Sequence, residues 1–189
     1  MKRGAGLKLI FDTKIRSPFG WDPKYSWDDR LELAIKYADI IAIQTMDGWG
    51  GYPGLITAAR RETSKPILAK GFCRTDEEIV DLINLGATYV LVVGRVPANK
   101  YIDKCMLEPT CLREMEDYPK NAKVVWNARN LLTGLPKKET FEDALDKWQG
   151  WICQASMIKS LNEVHPDVDA VMVGTYMDEI IEDMKEKEE

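Results

Sequence analysis

Eight short apolar runs, which alternate with amphipathic segments, constrain the fold of this 189-residue chain more than any other feature. Short apolar runs are typical of strands buried on both faces, and apolar residues three and four apart are typical of helices packed on a sheet. Strands that alternate with helices predict right-handed crossovers and a parallel sheet, either open or closed. The predicted strands are centred near Leu9, Ile41, Leu68, Leu91, Met106, Val125, Ile152 and Met172.

Eight strands is the number that closes a TIM barrel. Such barrels typically need about 250 residues, so a chain of 189 residues must have shortened or missing helices, above all between Gly94 and Lys104. We therefore expect a single domain over residues 1–189 with an α/β fold, a compact TIM (β/α)8 barrel. Helices are expected over residues 27–38, 55–63, 75–86, 110–118, 139–148 and 157–164, with a last, solvated acidic helix and its tail over residues 178–189.

Charge and cysteine content exclude several classes of function. A net charge of −5 and a pI near 5.1 disfavour nucleic acid and anionic membranes as partners, so an anionic ligand would need a local basic site. No apolar stretch has the about 18 residues of a membrane-spanning helix, and the N-terminal segment lacks the apolar core of a signal peptide. The single His165 and four cysteines without a CxxC pair predict no metal site and a reduced, cytoplasmic protein.

Polar residues follow several of the apolar runs at the point where each predicted strand ends. In a parallel barrel the carboxyl ends of all strands meet at one face, where barrel enzymes hold their catalytic groups. Lys70, which follows the apolar run from Ile67 to Ala69, is the clearest case. A lysine at a strand end is equally typical of a chain that simply enters solvent there, so the other strand ends must decide.

Five short motifs at the strand ends occur in the same order as in a known family. They are DTKIRSP (Asp12 to Pro18), LAKGF (Leu68 to Phe72), CMLEP (Cys105 to Pro109), WNARNL (Trp126 to Leu131) and VMVGTYM (Val171 to Met177). Together they resemble the indole-3-glycerol phosphate synthases of tryptophan biosynthesis, and the resemblance covers nearly the whole chain. It implies a TIM-barrel enzyme without a cofactor.

The chain also departs from the pattern of that family. Asp12 replaces a glutamate, Gly71 replaces an aspartate, and Gln154 to Ser156 replace a Glu-Ser-Gly motif. Because the first predicted strand begins at Leu7, we expect the chain to lack the additional N-terminal segment of the family. These differences predict weaker phosphate binding and slower turnover on the same fold.

The resemblance implies closure of an indole ring in 1-(2-carboxyphenylamino)-1-deoxyribulose 5-phosphate, a decarboxylating carbon–carbon lyase reaction that also releases water. Lys70 would be the general acid and Glu108 the general base. Asp12 would orient Lys14 or relay a proton, or would merely neutralise its charge. The ammonium groups of Lys14 and Lys70, in one partly dry site, would depress each other's pKa, which would make a lysine a usable acid near neutral pH.

Further residues would bind the substrate, as the resemblance implies. Structural alternatives remain open for some of the candidates: a loop salt bridge for Asn127 and Arg129, local packing for Trp49, and a surface carboxylate for the catalytic candidate Glu108. The expected binding residues are Asn127, Arg129, Phe72, Ser17, Leu131, Trp49 and Gln154 for the body of the substrate, and Gly174, Thr175 and Ser156, together with Ser17, for its phosphate.

Two other functions remain open from the sequence. One is a catalytically impaired barrel or scaffold that binds a phosphorylated metabolite. The other is a phosphoribosylanthranilate isomerase, which pairs a cysteine with an aspartate, although neither Cys105 nor Cys153 has a well-placed companion. In every case the expected partner is a small phosphorylated molecule rather than nucleic acid or a membrane, and thin helical cover predicts a monomer or a weak homodimer.

Overall fold

The computed structural model describes residues 6–21 and 23–186. Its eight strands are parallel and form one closed barrel in the order of the sequence, so the predicted TIM barrel is confirmed. The barrel closes where the first strand pairs with the last, from Lys8 beside Ala170 to Phe11 beside Val173. The strands are β1 (Lys8–Asp12), β2 (Ile40–Gln44), β3 (Ile67–Lys70), β4 (Tyr89–Val93), β5 (Cys105–Glu108), β6 (Lys123–Asn127), β7 (Ile152–Ala155) and β8 (Ala170–Val173).

The ring of helices around the barrel is incomplete, as the length of the chain predicts. In the described part of the chain, β4, β5 and β7 are followed only by short 3-10 turns, at Asn99–Lys104, Leu112–Asp117 and Leu161–Glu163. No helix in that part is long and apolar enough to cross a membrane. The α-helices are α1 (Trp27–Tyr37), α2 (Gly54–Glu62), α3 (Asp76–Asn84), α4 (Phe141–Lys147) and α5 (Met177–Glu186).

The α-helix expected over residues 157–164 is wrong, and the one expected over residues 110–118 is reduced to a 3-10 turn. Ser156 and Met157 both have left-handed backbone conformations, with φ of 69° and 59°, which do not start a right-handed helix. At the other end of the chain, residues 187–189 of the expected acidic tail lie outside the described residues.

Alternate side chains of each strand divide the core into two layers. In β1, Phe11 belongs to the layer between the strands and the helices, whereas Ile10 belongs to the layer inside the barrel. In β3, Ala69 and Leu68 are divided in the same way. This period of two is the normal side-chain alternation of a strand, and it decides which strand-end residues reach the interior.

Gly51 follows β2 and lies against its last residue. A Cβ atom at position 51 would lie 2.1 Å from the carbonyl oxygen of Gln44, so the backbone would have to move. We expect Gly51→Ala to lower the free energy of unfolding by about 1–3 kcal/mol. Gly48→Ala, in the same loop, is the matched control, because a Cβ atom there meets nothing within 4 Å. Equal midpoints for the two variants in urea unfolding would contradict this prediction.

Candidate active site

Five strands end on polar side chains that point into the mouth of the barrel. Asp12, Gln44, Lys70, Glu108 and Asn127 are the last residues of β1, β2, β3, β5 and β6. The residue two positions before each of them belongs to the inner layer, so the strand period places all five inside. Carboxylate, amide and ammonium groups therefore converge at the carboxyl ends of the strands, where TIM-barrel enzymes hold their active sites.

Asp12 is the centre of the first polar group, and its side chain is almost completely buried. The Nζ atom of Lys70 lies 2.7 Å from its Oδ2 atom, and the Nε2 atom of Gln44 donates to the same oxygen at 3.0 Å. The other carboxylate oxygen accepts a hydrogen bond from the backbone N–H of Lys14 at 3.1 Å. The ends of the first three strands are thus connected through one carboxylate.

The ion pair determines how Asp12 and Lys70 titrate. Burial alone would raise the pKa of Asp12, but the ammonium groups of Lys70 and Lys14 and the hydrogen bonds from Lys70 and Gln44 hold it below its ordinary value. Burial alone would lower the pKa of Lys70, but the Asp12 carboxylate outweighs this effect and raises it. The expectation that Lys14 and Lys70 depress each other's pKa is therefore wrong for Lys70.

Lys14 is instead the lysine with the depressed pKa. Burial lowers its pKa to about 8, and the charges of Lys70, Arg129 and Arg30 add to this effect, whereas Asp12 opposes it. Its Nζ atom lies 5.1 Å and 5.3 Å from the ring centroids of Trp21 and Trp49. Among the described residues, no carboxylate lies within 4 Å of this ammonium group. Of the two lysines that line the cavity, Lys14 is thus the one that can lose a proton near neutral pH.

Glu108 and Asn127 form a second polar group, on β5 and β6. The Nδ2 atom of Asn127 donates to the Oε1 atom of Glu108 at 3.0 Å, and the Oδ1 atom of Asn127 accepts from the backbone N–H of Arg129 at 3.0 Å. Burial raises the pKa of Glu108, although Lys70, Asn127 and Lys137 oppose the rise. A carboxyl group in this environment can gain or lose a proton closer to neutral pH than an exposed glutamate can.

One cavity collects most of the residues expected from the sequence. Phe72, with 43% of its surface exposed, lies at its rim. No group of three potential metal-ligating side chains was found within residues 6–21 and 23–186. The expected residues that line the cavity are Asp12, Lys14, Trp49, Lys70, Phe72, Glu108, Asn127, Arg129, Leu131, Ser156, Gly174 and Thr175.

Two expected site residues do not line the cavity. Gln154 faces outward from β7, because its neighbours Cys153 and Ala155 face the interior. Its Oε1 atom accepts from the backbone N–H of His165 at 2.8 Å, so it stabilises the segment before β8 instead. Ser17 lies in the loop between β1 and α1, where its hydroxyl accepts from the backbone N–H of Phe19 at 3.2 Å. The geometry gives neither residue a role in binding a ligand in this cavity.

Close packing explains two glycines at the mouth. A Cβ atom at Gly174 would lie 3.0 Å from Cε of Lys14 and 3.2 Å from Cβ of Asp12. A Cβ atom at Gly71 would lie 2.3 Å from the hydroxyl oxygen of Thr45, so the aspartate expected from the family pattern has no room in this backbone arrangement. The end of β8 therefore packs directly on the end of β1.

Sequence reasoning assigned no role to two residues of this region, Gln44 and Arg30. Gln44 is a polar residue at the end of an apolar run, the same signal that identified Lys70. Arg30 lies three residues after Trp27 and one before Leu31, within the apolar stripe of α1. An arginine in an apolar stripe indicates a buried charge, and this is the feature of the sequence that could have identified it. Both residues are buried.

Fold and cavity together define a TIM-barrel protein with a cavity at the carboxyl ends of its strands that is lined by both charged and apolar side chains. No protein-family model matches the sequence. The chain is similar to the crystal structure of a 3-hexulose-6-phosphate synthase, with 17% identity, 92% of this chain and 100% of that chain covered, and a TM-score of 0.64. It is also similar to a 3-hexulose-6-phosphate synthase from Salmonella typhimurium, with 15% identity, 96% and 95% coverage, and a TM-score of 0.67.

These comparisons contradict the identification as an indole-3-glycerol phosphate synthase. These two solved structures are of a different barrel enzyme, so the expected decarboxylating ring closure and the expected place in tryptophan biosynthesis are wrong. The sequence resembles that family because the five motifs mostly mark inward-facing positions at strand ends. A closed barrel presents such positions to its cavity whatever reaction it catalyses. At these identities the likeness to the synthases shows the fold alone.

The buried ion pair leads to a stability prediction. Asp12→Asn leaves the Lys70 ammonium group without its carboxylate, and we expect the free energy of unfolding at pH 7 to fall by about 3 kcal/mol. Because the pKa of Asp12 is lowered by folding, the advantage of the wild type is present above the ordinary aspartate pKa of 3.8 and is lost as the pH falls through the lower folded value.

Urea unfolding between pH 7 and pH 2 measures this difference. Glu116→Gln is the matched control, because the pair of Glu116 with Lys147 is exposed and should contribute little. The prediction is wrong if Asp12→Asn is as stable as Glu116→Gln at pH 7.

Proposed function

We propose that this protein is an enzyme that moves protons beside the carbonyl group of a small phosphorylated sugar and forms an enolate in the process. Enolate formation is the step that isomerisation shares with aldol-type making and breaking of carbon–carbon bonds. The observation that carries the proposal is the convergence of two lysines and one protonatable glutamate on a single cavity. Asp12, Lys14, Lys70 and Glu108 are its proposed catalytic residues.

The two lysines have different roles in this proposal. The Lys70 ammonium group stays charged because Asp12 holds it, so it can stabilise the negative charge that develops on the carbonyl oxygen. Lys14 can then give that oxygen a proton, which converts the enolate to a neutral enol and leaves Lys14 as the amine, since its pKa of about 8 lies near physiological pH. Asp12 holds the ammonium group of Lys70 directly and contacts Lys14 through its backbone N–H.

Glu108 is the proposed base. Its carboxyl group lies in the same cavity, and Asn127 donates to one of its oxygens, which leaves the other oxygen free to take a proton from the carbon next to the carbonyl group. The raised pKa of Glu108 makes it a stronger base than an ordinary glutamate. The acid and the base are therefore assigned to different groups with different environments.

The phosphate of the substrate is proposed to bind at the loops after β7 and β8. Ser156, Gly174 and Thr175 line the cavity there, and α5 begins shortly afterwards at Met177. Backbone N–H groups before a helix are favourable partners for a phosphate. The loops after the last two strands commonly form the phosphate site of a TIM barrel. The names of the two similar structures, which refer to a phosphorylated sugar, agree with this choice of substrate.

The body of the substrate is proposed to contact Asn127, Arg129, Leu131, Phe72 and Trp49, which line the rest of the cavity. We also propose a cytoplasmic protein, since its four cysteines are free thiols. A single barrel domain and a monomer or weak homodimer remain our proposals for the whole chain.

Hydrogen exchange with solvent tests the enolate proposal without knowledge of the complete reaction. In D2O, the wild type should exchange the hydrogen beside the carbonyl group of at least one ketose or aldose phosphate, which proton NMR detects. Glu108→Gln should lower the exchange rate by about 100-fold or more, because it removes the base and keeps the shape.

Glu142→Gln, an exposed position on α4, is the control and should exchange at the wild-type rate. Binding of the sugar phosphates without any exchange would contradict the proposed enzyme. Equal rates in the wild type and Glu108→Gln would contradict the choice of base.

The pH dependence of the exchange follows from the two shifted groups. Glu108 must be ionised to accept a proton, so the rate should rise with pH through a pKa above the ordinary value of 4.5. Lys14 must be protonated to donate, so the rate should fall as the pH rises above about 8. Lys14→Arg keeps the positive charge and should move the alkaline limb to higher pH. If the alkaline limb of Lys14→Arg lies at the same pH as that of the wild type, the limb belongs to a group other than Lys14.

A further inference from the structure

We propose that Arg30 is a positioning residue that strengthens anion binding in the cavity through the backbone of Gly174, without touching the ligand. This inference rests on the proposed phosphate site at Gly174 and Thr175. Arg30 itself belongs to α1, on the outer side of the barrel, and it does not line the cavity. Its effect on the ligand must therefore pass through the groups that it contacts.

The Arg30 guanidinium group connects the first and last strands beyond the point where their pairing ends. The last paired residues of β1 and β8 are Phe11 and Val173. One residue further on, the Nη2 atom of Arg30 donates to the carbonyl oxygen of Asp12 at 3.2 Å and to that of Gly174 at 2.6 Å. One side chain thus fixes the backbone of the ion-paired aspartate and the backbone of the proposed phosphate loop.

The environment of Arg30 is unusual for a residue that only fills space. Its side chain is 1% exposed, its Nε atom has no hydrogen-bond partner, and no carboxylate of the described residues lies within 4 Å. The ring of Trp21 lies 5.1 Å from its central carbon. Methionine would fill a similar volume without the cost of burying a charge. The carboxylates of Asp12, Asp178 and Glu179 oppose this cost only at longer range, and the groups that Arg30 contacts directly are two backbone carbonyl oxygens.

A peptide group carries the effect of Arg30 to the cavity. The carbonyl of Gly174 and the N–H of Thr175 belong to the same peptide unit, so a cation bound to the oxygen polarises the unit and makes the N–H a stronger donor. Thr175 lines the cavity. Through its short hydrogen bond to Gly174, the positive charge of Arg30 thus strengthens the N–H of Thr175 as a donor at the proposed phosphate site.

Titration of the protein with inorganic phosphate, followed through the backbone amide signal of Thr175 by NMR, tests the proposal. In the wild type this amide proton should shift as phosphate binds. Arg30→Met and Arg30→Gln, which are neutral, should weaken phosphate binding by about tenfold. Arg30→Lys keeps the charge and should remain within about threefold of the wild type. All titrations are made where the unfolding midpoint shows that each variant is folded.

Arg60→Met is the matched control for the loss of a partly buried arginine. Arg60 donates to the carbonyl oxygens of Thr63, Lys65 and Gly86, in the segments that precede β3 and β4 at the opposite end of the barrel. Its removal should lower stability and leave phosphate binding unchanged. If Arg30→Met does not fold, the contrast between Arg30→Lys and Arg30→Gln carries the same test.

The outcomes separate this inference from the proposed function. If the wild type binds phosphate at Thr175 and Arg30→Gln binds it equally well, the role of Arg30 is wrong and the phosphate site stands. The same holds if Arg60→Met weakens binding as much as Arg30→Met does, since the effect would then follow stability alone. If phosphate leaves the Thr175 signal of the wild type unchanged, both the site and the role of Arg30 are wrong.

Discussion

The buried ion pair between Asp12 and Lys70 is the interaction on which the rest of the site depends. A carboxylate that is almost fully removed from water is unstable unless charged and hydrogen-bonding groups surround it. Lys70, Gln44 and the backbone of Lys14 supply those groups, so the ends of β1, β2 and β3 have defined positions relative to one another. The pair also determines which lysine stays charged, because Asp12 holds the proton on Lys70 and leaves Lys14 as the more acidic ammonium group.

The two carboxyl groups of the cavity illustrate how environment separates the roles of chemically similar side chains. Asp12 lies beside an ammonium group, and its pKa is lowered. Glu108 is equally buried but has an amide as its hydrogen-bond partner, and its pKa is raised. Pairs of titratable groups whose pKa values are moved apart are typical of acid–base sites. Lys14, Lys70 and Arg129 line the same cavity, so a chain with a net charge of −5 still places three cationic side chains beside these two carboxyl groups.

The sequence predicts the barrel and much of the cavity because both follow from the strand period. Apolar runs locate the strands, and polar residues at their ends, such as Lys70 and Glu108, reach the interior when their parity is inward. Gln154 lies one position away from the inward-facing residues of β7, which are its neighbours Cys153 and Ala155. The pKa of Lys70 could not be predicted because it depends on the distance to Asp12, a contact between residues 58 positions apart.

The part of the site that the motifs describe least is the cover of the mouth, which the loops after β1, β2 and β6 supply. The loop after β1 and the loop after β6 meet where Phe19 packs on Gly134, whose Cβ position would lie 2.4 Å from the Phe19 ring. Phe19 also contacts Trp49 edge-on at 5.7 Å and has Arg129 over its ring at 5.5 Å. The short turns after β4 and β5 contribute no comparable helical cover, so these loops shape the entrance. Strand-end residues can thus be shared by barrels with different reactions, whereas the choice of substrate depends on loops whose packing must be seen in the structure.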